Sequence, residues 1–482
     1  MPQILERSVI ELQALLGSGE LSSQQLTQFY LDRINELDGT SGLNAIQTVN
    51  PEALKEAQSL DRERSAGRVR SRLHGLPVIV KDNYLTKGMA TTAGSALFSG
   101  HDPGYDAHSV ARLKEAGAII LAKANMHEFA YGITTVGSSF GETKNPYGQS
   151  RNPGGSSGGT GAAVAANFAV LGMGSDTCGS IRIPSAHNNL VGLRGTQGLS
   201  SRFGIIPLSH TQDIGGPLAK SVEDLAIALD VTVGPDVKDE QTKQSAGRIP
   251  ASFFDALQIR RELKVGVMSD YLEIDEADAP VAKVFQQALA DISLKAQWDV
   301  VQLSSPGVKE SLARPFDGHY VLIADFAEDI NRYLMQHPQL NLKDLAEIVS
   351  SDQPHRQVLP SLHASLNLHD APIEDYQREM EQRQKVRDAL VRLMDEHNLD
   401  VLAYPTIRQI AAPRGEPQGG TNCRLAANSG LPAISFPAGF SVEGMPVGLE
   451  LLGRAWQEQL LLDAAYTSEQ LLPRRQLPHI AR

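Results

Sequence analysis

An α/β fold, built on a mixed, mostly parallel central sheet with helices on both faces, is the architecture this 482-residue sequence predicts. Three observations predict it. The run Leu76-Pro77-Val78-Ile79-Val80 reads as a short buried strand, strand and helix patterns alternate through the middle of the chain, and strand patterns return after residue 400 behind a polar helical stretch. In such sheets ligands sit beyond the carboxyl ends of the strands.

Taken in order, residues 8 to 37 form two helices, one facing inward with Leu12, Leu15 and Leu16, the next with Leu26, Phe29, Tyr30, Ile34 and Leu37. Ser22, with Gln25 three positions on, makes a capping box between them. A third helix fits Pro51 to Ala66, and the strand at Leu76 to Val80 then delivers Lys81 at its carboxyl end. Helix Ala107 to Ala116, strand Ala118 to Ala122 and a helix opening at Met126 follow. Ser221 with Asp224 caps a helix through Ala228; Leu263 to Met268, Pro280 to Lys295 and Val300 to Leu303 repeat strand, helix, strand. From Glu310 to His397 the pattern is polar and helical, ending in a long charged helix near Asp375 to His397. Strands at 400–404, 432–436 and 447–452 and a helix from Gln457 to Leu472 complete the series. With no repeat and no linker in view, residues 1–482 read as one domain. Its parts are N-terminal helices (1–70), a core (71–235), a helical insertion (306–398) and a C-terminal return to the core (399–482).

Composition narrows the function classes. Single domains commonly reach ~250 residues and sometimes more, so this length permits a sizeable enzyme. Hydrophobic residues at 41% and charged ones at 21% are ordinary for a globular protein, and a net charge of -12 without a basic stretch argues against nucleic acid or an anionic membrane as partner. Met1 to Gly17 carries Glu6 and Glu11 and has no uninterrupted apolar stretch, so no signal peptide is visible. No apolar run is long enough to span a bilayer. Two cysteines, Cys178 and Cys423, are too few for a disulfide framework and fit a reducing, cytoplasmic compartment, with one bridge left open. The thirteen histidines show no paired-ligand spacing, so no metal and no cofactor is expected.

The chemistry concentrates between Arg151 and Ser185, where Pro-Gly-Gly-Ser-Ser-Gly-Gly-Thr-Gly and Gly-Ser-Asp-Thr-Cys-Gly-Ser-Ile-Arg flank a small-residue segment that reads as a buried helix and a short strand. Serine hydroxyls among bare backbone N–H groups are what acyl transfer needs, since the nucleophile and the donors to the oxyanion must converge on one carbonyl. A phosphate-binding loop is excluded, because Gly159 is followed by Thr160-Gly161 and not by lysine and a hydroxyl residue. Taken singly, Lys81 reads as a surface lysine and Ser156 or Ser180 as turn residues. The Ala-Ala-Val-Ala-Ala segment behind the first cluster is what argues for a built site.

In order and in spacing, Lys81, Gly154-Gly155-Ser156-Ser157-Gly158-Gly159 and Gly174-Ser175-Asp176-Thr177-Cys178-Gly179-Ser180-Ile181-Arg182 resemble the amidase signature family of serine hydrolases. The similarity extends through Leu121 to Asn125, Asn145-Pro146-Tyr147, Val191 to Arg194 and Gly430 to Ile434. The resemblance implies the fold of that family and a Ser-Ser-Lys triad. Ser180 is then the nucleophile, Ser156 the bridging hydroxyl behind a cis peptide bond, and Lys81 the terminal base. It also implies an oxyanion hole made by the backbone N–H groups of Thr177, Cys178, Gly179 and Ser180. Ser157, Asp176 and Arg182 would fix the loop by hydrogen bonds and an ion pair, a role an ordinary structural pair also fills. A lysine of pKa ~10.4 must be kept neutral by burial to serve as base. Cys178, where the family usually has glycine, invites a thiol mechanism, but no Cys-His arrangement accompanies it, and it is read as a backbone donor only.

The implied substrate is a small-molecule linear carboxamide, with Ala130, Tyr131, Ser156 and Thr177 at the substrate and the 306–398 insertion shaping the entrance. The glutaminase subunit of tRNA-dependent amidotransferases carries an acidic residue upstream of its Asn-Leu-Ala-Gly-Leu-Pro-like segment. Here Gly419 to Gly430 has none, which favours a stand-alone amidase. The amidotransferase glutaminase is the alternative, and a catalytically silent scaffold is a third reading. A homodimer is left open.

Overall fold

The computed structural model describes residues 4–312, 320–368 and 372–481. Residues 313–319 and 369–371 of the expected insertion, and residues 1–3 of the N-terminal stretch in which no signal peptide is expected, lie outside them. An eleven-stranded sheet runs through the molecule. Its strands are β1 (Ile46–Val49), β2 (Pro77–Lys81), β3 (Ile119–Ala124), β6 (Leu171–Asp176), β7 (Val191–Arg194), β8 (Ile214–Ala219), β9 (Lys264–Met268), β10 (Asp299–Leu303), β11 (Val401–Pro405), β12 (Ala433–Phe440) and β13 (Pro446–Leu452). They are arranged β1-β3-β2-β6-β8-β7-β12-β13-β11-β9-β10. A separate small hairpin pairs β4 (Val136–Gly137) with β5 (Gly141–Glu142).

The sheet is mixed, as expected, and its parallel pairs lie in the two flanks: β3-β2-β6 on one side and β11-β9-β10 on the other. The stretch from β6 to β11 is antiparallel throughout. Short connections explain part of this. Ser441 to Met445 is too short for a crossover, so β12 and β13 must form a hairpin.

Helices flank the sheet. α5 (Gly158–Ala165) packs on β2 and β6 and against α6 (Arg182–His187), which covers β12 and β13. α4 (His108–Glu115), α7 (Val222–Thr232), α15 (Glu458–Leu471) and α8 (Ala279–Ala296) pack on one another in that sequence, and each also meets the sheet. The N-terminal α1 (Val9–Ser18) and α2 (Ser23–Leu37) bury Leu12 and Leu16, and Leu26, Tyr30 and Ile34. The Ser22/Gln25 capping box closes as the sequence predicts. α3 (Ala53–Ser65) lies on α2.

The expected helix at Met126 is not formed. The segment holds one 3-10 turn, Glu128–Ala130, in which Phe129 and Ala130 take φ +53° and +60°. Its polar groups are spent elsewhere: the Glu128 carboxylate accepts from Ser138 and from the backbone N–H of His355, which turns the segment toward the insertion.

The insertion comprises α9 (Pro306–Leu312), α10 (Tyr320–Gln336), α11 (Leu345–Ser350), α12 (Leu359–Leu368) and α13 (Ile373–Glu396). α14 (Arg424–Ser429) packs on α13. No described helix is long and apolar enough to cross a membrane.

Candidate active site

Lys81 ends β2, between its parallel neighbours β3 and β6, and its side chain has no exposure to solvent. Its Nζ lies 2.7 Å from Ser156 Oγ and 2.8 Å from Ser175 Oγ, with the Ser175 carbonyl at 3.3 Å. Asn83 Nδ2 donates to the same Ser175 hydroxyl at 2.9 Å, so Ser175 is held on two sides. No described carboxylate bonds Lys81. Burial pushes its pKa down to about 7, against the opposing pull of Asp213 and Asp176. The other buried lysine nearby, Lys123 on β3, differs in having Asp82 at 3.0 Å as its counterion. Ser175 belongs to the second serine motif, yet the sequence assigns it no role. A serine beside two others carries no signal of its own until Lys81 is seen to reach it.

The turn carrying Ser156 is held by its neighbours. The Gly155–Ser156 peptide bond is cis, as the resemblance implies. A Cβ on Gly155 would stand 2.8 Å from the Ile133 carbonyl carbon, so only glycine fits there. The His127 N–H donates to the Ser156 carbonyl at 3.0 Å, while its ring Nδ1 accepts from Thr135 N–H at 3.2 Å. Burial holds that imidazole neutral by pushing its pKa down to about 3. The two serine segments run side by side, with Ser157 N–H donating to the Ser180 carbonyl at 3.2 Å. The Ser156 and Ser180 hydroxyls form no direct hydrogen bond among the described contacts. The structure thus joins Lys81 to Ser156 and brings Ser180 beside them. Resting catalytic hydrogen bonds are often long and tighten in the substrate complex.

Ser180 and Thr177 face a cavity of about 420 Å³, and Ala130 and Tyr131, also expected at the substrate, form part of its wall. Ser156 does not line it. It is fully buried behind Ser180, where it can pass a proton but cannot grip a substrate. The N–H groups of Thr177, Cys178 and Ser180 donate to no described protein acceptor, leaving them free for an oxyanion. Gly179 departs from expectation. Its N–H is spent on Asp176 Oδ1 at 2.8 Å, so it shapes the loop, with φ +88°, and is no free donor.

Asp176, at the end of β6, is the hub of the loop. Besides Gly179 it accepts from Ile181 N–H at 3.1 Å, from Arg182 Nε at 3.1 Å and from Arg194 Nη1 at 2.9 Å. Arg182 reaches on to Glu450 of β13 at 2.5 Å, where Tyr404 OH also donates at 2.9 Å. Two guanidinium and two carboxylate groups, all buried, balance, and the two arginines hold the Asp176 carboxyl far below the usual carboxylate range. Ser157, the third of the expected loop-fixing residues, donates to the Ser175 carbonyl at 3.2 Å.

Cys178 does more than donate a backbone N–H. It is bonded to Cys423, the residue before α14, with 5.2 Å between the Cα atoms. With both cysteines joined, a thiol nucleophile is excluded, and the expectation of a reducing, cytoplasmic setting loses its support from the cysteines. Both sulfur-bearing residues line the cavity. The lining also includes Leu322 and Ile323 of α10 and Pro360 and Ala364 of α12, so part of the cavity wall comes from the insertion. Among the described residues no charged side chain lines it.

A family model described as Amidase matches residues 25–462. The chain is 35% identical over 498 residues to a glutamyl-tRNA(Gln) amidotransferase subunit from Alkaliphilus metalliredigens, covering 98% of this chain and 97% of the relative. The Archaeoglobus fulgidus protein of the same name is 37% identical over 455 residues, covering 90% and 92%. Among solved structures, native peptide amidase from Stenotrophomonas maltophilia superposes with a TM-score of 0.89 at 35% identity, covering 99% of both chains.

Proposed function

Since the chain belongs to the amidase family, we propose that it hydrolyses the carbon–nitrogen bond of a linear carboxamide with an apolar acyl group, through an acyl-enzyme on Ser180. The observation that carries this reading is the cavity beside Ser180. It is walled by apolar side chains, holds no charged group among the described residues, and is backed by a buried lysine bonded to Ser156. Neutral Lys81 takes the Ser156 hydroxyl proton as Ser156 takes that of Ser180, and Ser180 Oγ bonds to the substrate carbonyl carbon. The oxygen becomes an anion facing the N–H groups of Thr177, Cys178 and Ser180. Collapse breaks the carbon–nitrogen bond while the proton returns through Ser156 to the leaving nitrogen, which departs as ammonia or an amine. Water, deprotonated along the same route, then releases the acid.

A second reading is the glutaminase subunit of a tRNA-dependent amidotransferase, which the sequence relatives favour. It would require partner chains, and its substrate brings an ammonium and a carboxylate into a cavity whose lining offers neither a counter-charge. A peptide amidase is as similar in sequence as the first of those relatives, so the lining argues more strongly than the percentages.

The deciding assay measures ammonia or amine release from apolar primary amides, anilides and glutamine by the isolated chain. Turnover of apolar amides with little of glutamine is expected; glutamine turnover alone would establish the second reading. Failure of Ser180 to react with a fluorophosphonate would point to the silent scaffold.

A further inference from the structure

Thr177 stands in the cavity wall at the head of the loop that carries the free N–H groups; Arg194 Nη1 donates to its carbonyl at 3.3 Å, and the segment 208–213 holds both its carbonyl and its hydroxyl. Its hydroxyl donates to Asp213 Oδ1 at 2.5 Å, and its carbonyl accepts from Gln212 Nε2 at 3.1 Å. Segment 208–213 is itself wound around the Asp213 carboxylate, whose Oδ2 accepts from the N–H groups of Leu208 and Ser209 at 2.8 and 3.0 Å. Leu208 lines the cavity.

The outer side of the same segment is gripped by the insertion. Ser209 and Thr211 hydroxyls donate to Asp325 of α10 at 2.5 and 2.6 Å, and Tyr376 of α13 donates to its other oxygen at 2.8 Å. The His210 N–H donates to Asp329 at 2.7 Å. Arg383 of α13 donates to Thr211 Oγ1 at 3.0 Å and to Gln212 Oε1. His210, Asp325 and Asp329 are close enough to share a metal ion, but every carboxylate oxygen among them already accepts a protein hydrogen, which makes the cluster a clasp. The helix bearing Asp325 also bears Leu322 and Ile323, which form cavity wall.

We propose that Asp213 and Asp325 are positioning residues for the oxyanion loop. Asp325 fixes segment 208–213 to the insertion, and Asp213 passes that placement to Thr177 and the N–H groups behind it. One helix, α10, thus contributes both to the wall that receives the acyl group and to the placement of the loop that receives its oxygen. Donors that stabilise an oxyanion must already be in place when charge develops, so loosening the clasp lowers the rate of the chemical step and leaves ground-state binding largely alone. The inference rests on the amide hydrolysis proposed above.

The test compares kcat and KM on an apolar primary amide, with kcat expressed per Ser180 labelled by a fluorophosphonate so that unfolded protein drops out. Thr177→Val, which keeps the shape and removes the hydroxyl, and Asp325→Asn are expected to lower kcat by about 10- to 100-fold with KM nearly unchanged. Thr177→Ser, which restores the donor, should recover most of the loss, and Tyr376→Phe should show a smaller fall of the same kind. Should Asp325→Asn fail to fold, Tyr376→Phe and the Thr177 pair decide. Unchanged kcat per labelled site in Thr177→Val and Tyr376→Phe, or a loss confined to KM, overturns the proposal. If the unsubstituted protein released nothing from any amide, the hydrolase reading itself would fall, and by a different readout.

Discussion

The segment from residue 151 to 194 and the insertion helices α10 to α13 meet at one cavity, yet they are built on opposite plans. The first is almost wholly buried and rich in glycine, and its side chains are pinned by backbone donors and by the Asp176, Arg182, Arg194 and Glu450 ion network. The second consists of amphipathic helices that leave Met335 and Ile373 well exposed and touch the cavity through Leu322, Ile323, Pro360 and Ala364. Reaction chemistry needs groups held to fractions of an ångström, which a glycine-packed core supplies. Choice of substrate needs only a shaped apolar surface, and many different helix sequences can supply one.

The difference can be broken experimentally, beginning with the core. Ser180→Ala and Lys81→Ala are each expected to lower kcat/KM by about 10³-fold or more, and Ser156→Ala by less, leaving a trace, with ammonia release as the measurement. Near-normal turnover in Lys81→Ala at neutral pH would remove the lysine from the chemistry. Arg182→Ala leaves buried Glu450 with no guanidinium partner and Asp176 with Arg194 alone. It should cost about 3–5 kcal/mol of stability in a denaturant titration, well beyond any single exposed change on α13.

The pH profile tests the same core more gently. Catalysis needs the neutral amine, so kcat/KM should fall about tenfold per pH unit below the Lys81 pKa of about 7 and level off above it. The stability sign follows from the same shift. Between about 7 and 10.5 the unfolded chain holds a proton that folded Lys81 has given up, so this group's contribution to stability grows as pH rises through that window. On the cavity face of the insertion, away from the Asp325 clasp, the effects should be smallest and of another kind. Leu322→Ala should raise KM for an apolar amide by about tenfold, since a few lost methylenes are worth about 1–3 kcal/mol, with labelling of Ser180 intact. An equal loss in kcat would erase the contrast between the two regions.

How far the sequence reveals this depends on distance along the chain. Lys81 at a strand end, the serine-bearing glycine turns, the Ser22 cap and the long charged helix are local patterns, and the structure forms each of these features within a few residues of its expected bounds. The Asp176–Arg182 pair is equally local. Glu450 and Arg194 are not: they complete the ion network from other strands, and nothing beside them in sequence marks them as partners. The same holds for Asp213 and Asp325, which look like ordinary acids until the fold puts hydroxyls against them. The missing helix at Met126 fails for a related reason, because Glu128 finds its hydrogen-bond donors in other segments and the backbone follows.

The Cys178–Cys423 bond spans 245 positions and so closes a covalent ring around the whole insertion and five strands of the sheet, β7 to β11. In a chain-entropy account a ring of that size disfavours the unfolded chain by about 5 kcal/mol. A protease nick in any insertion loop would therefore leave the two pieces tethered even under denaturing conditions, migrating as one molecule without reductant and as two with it.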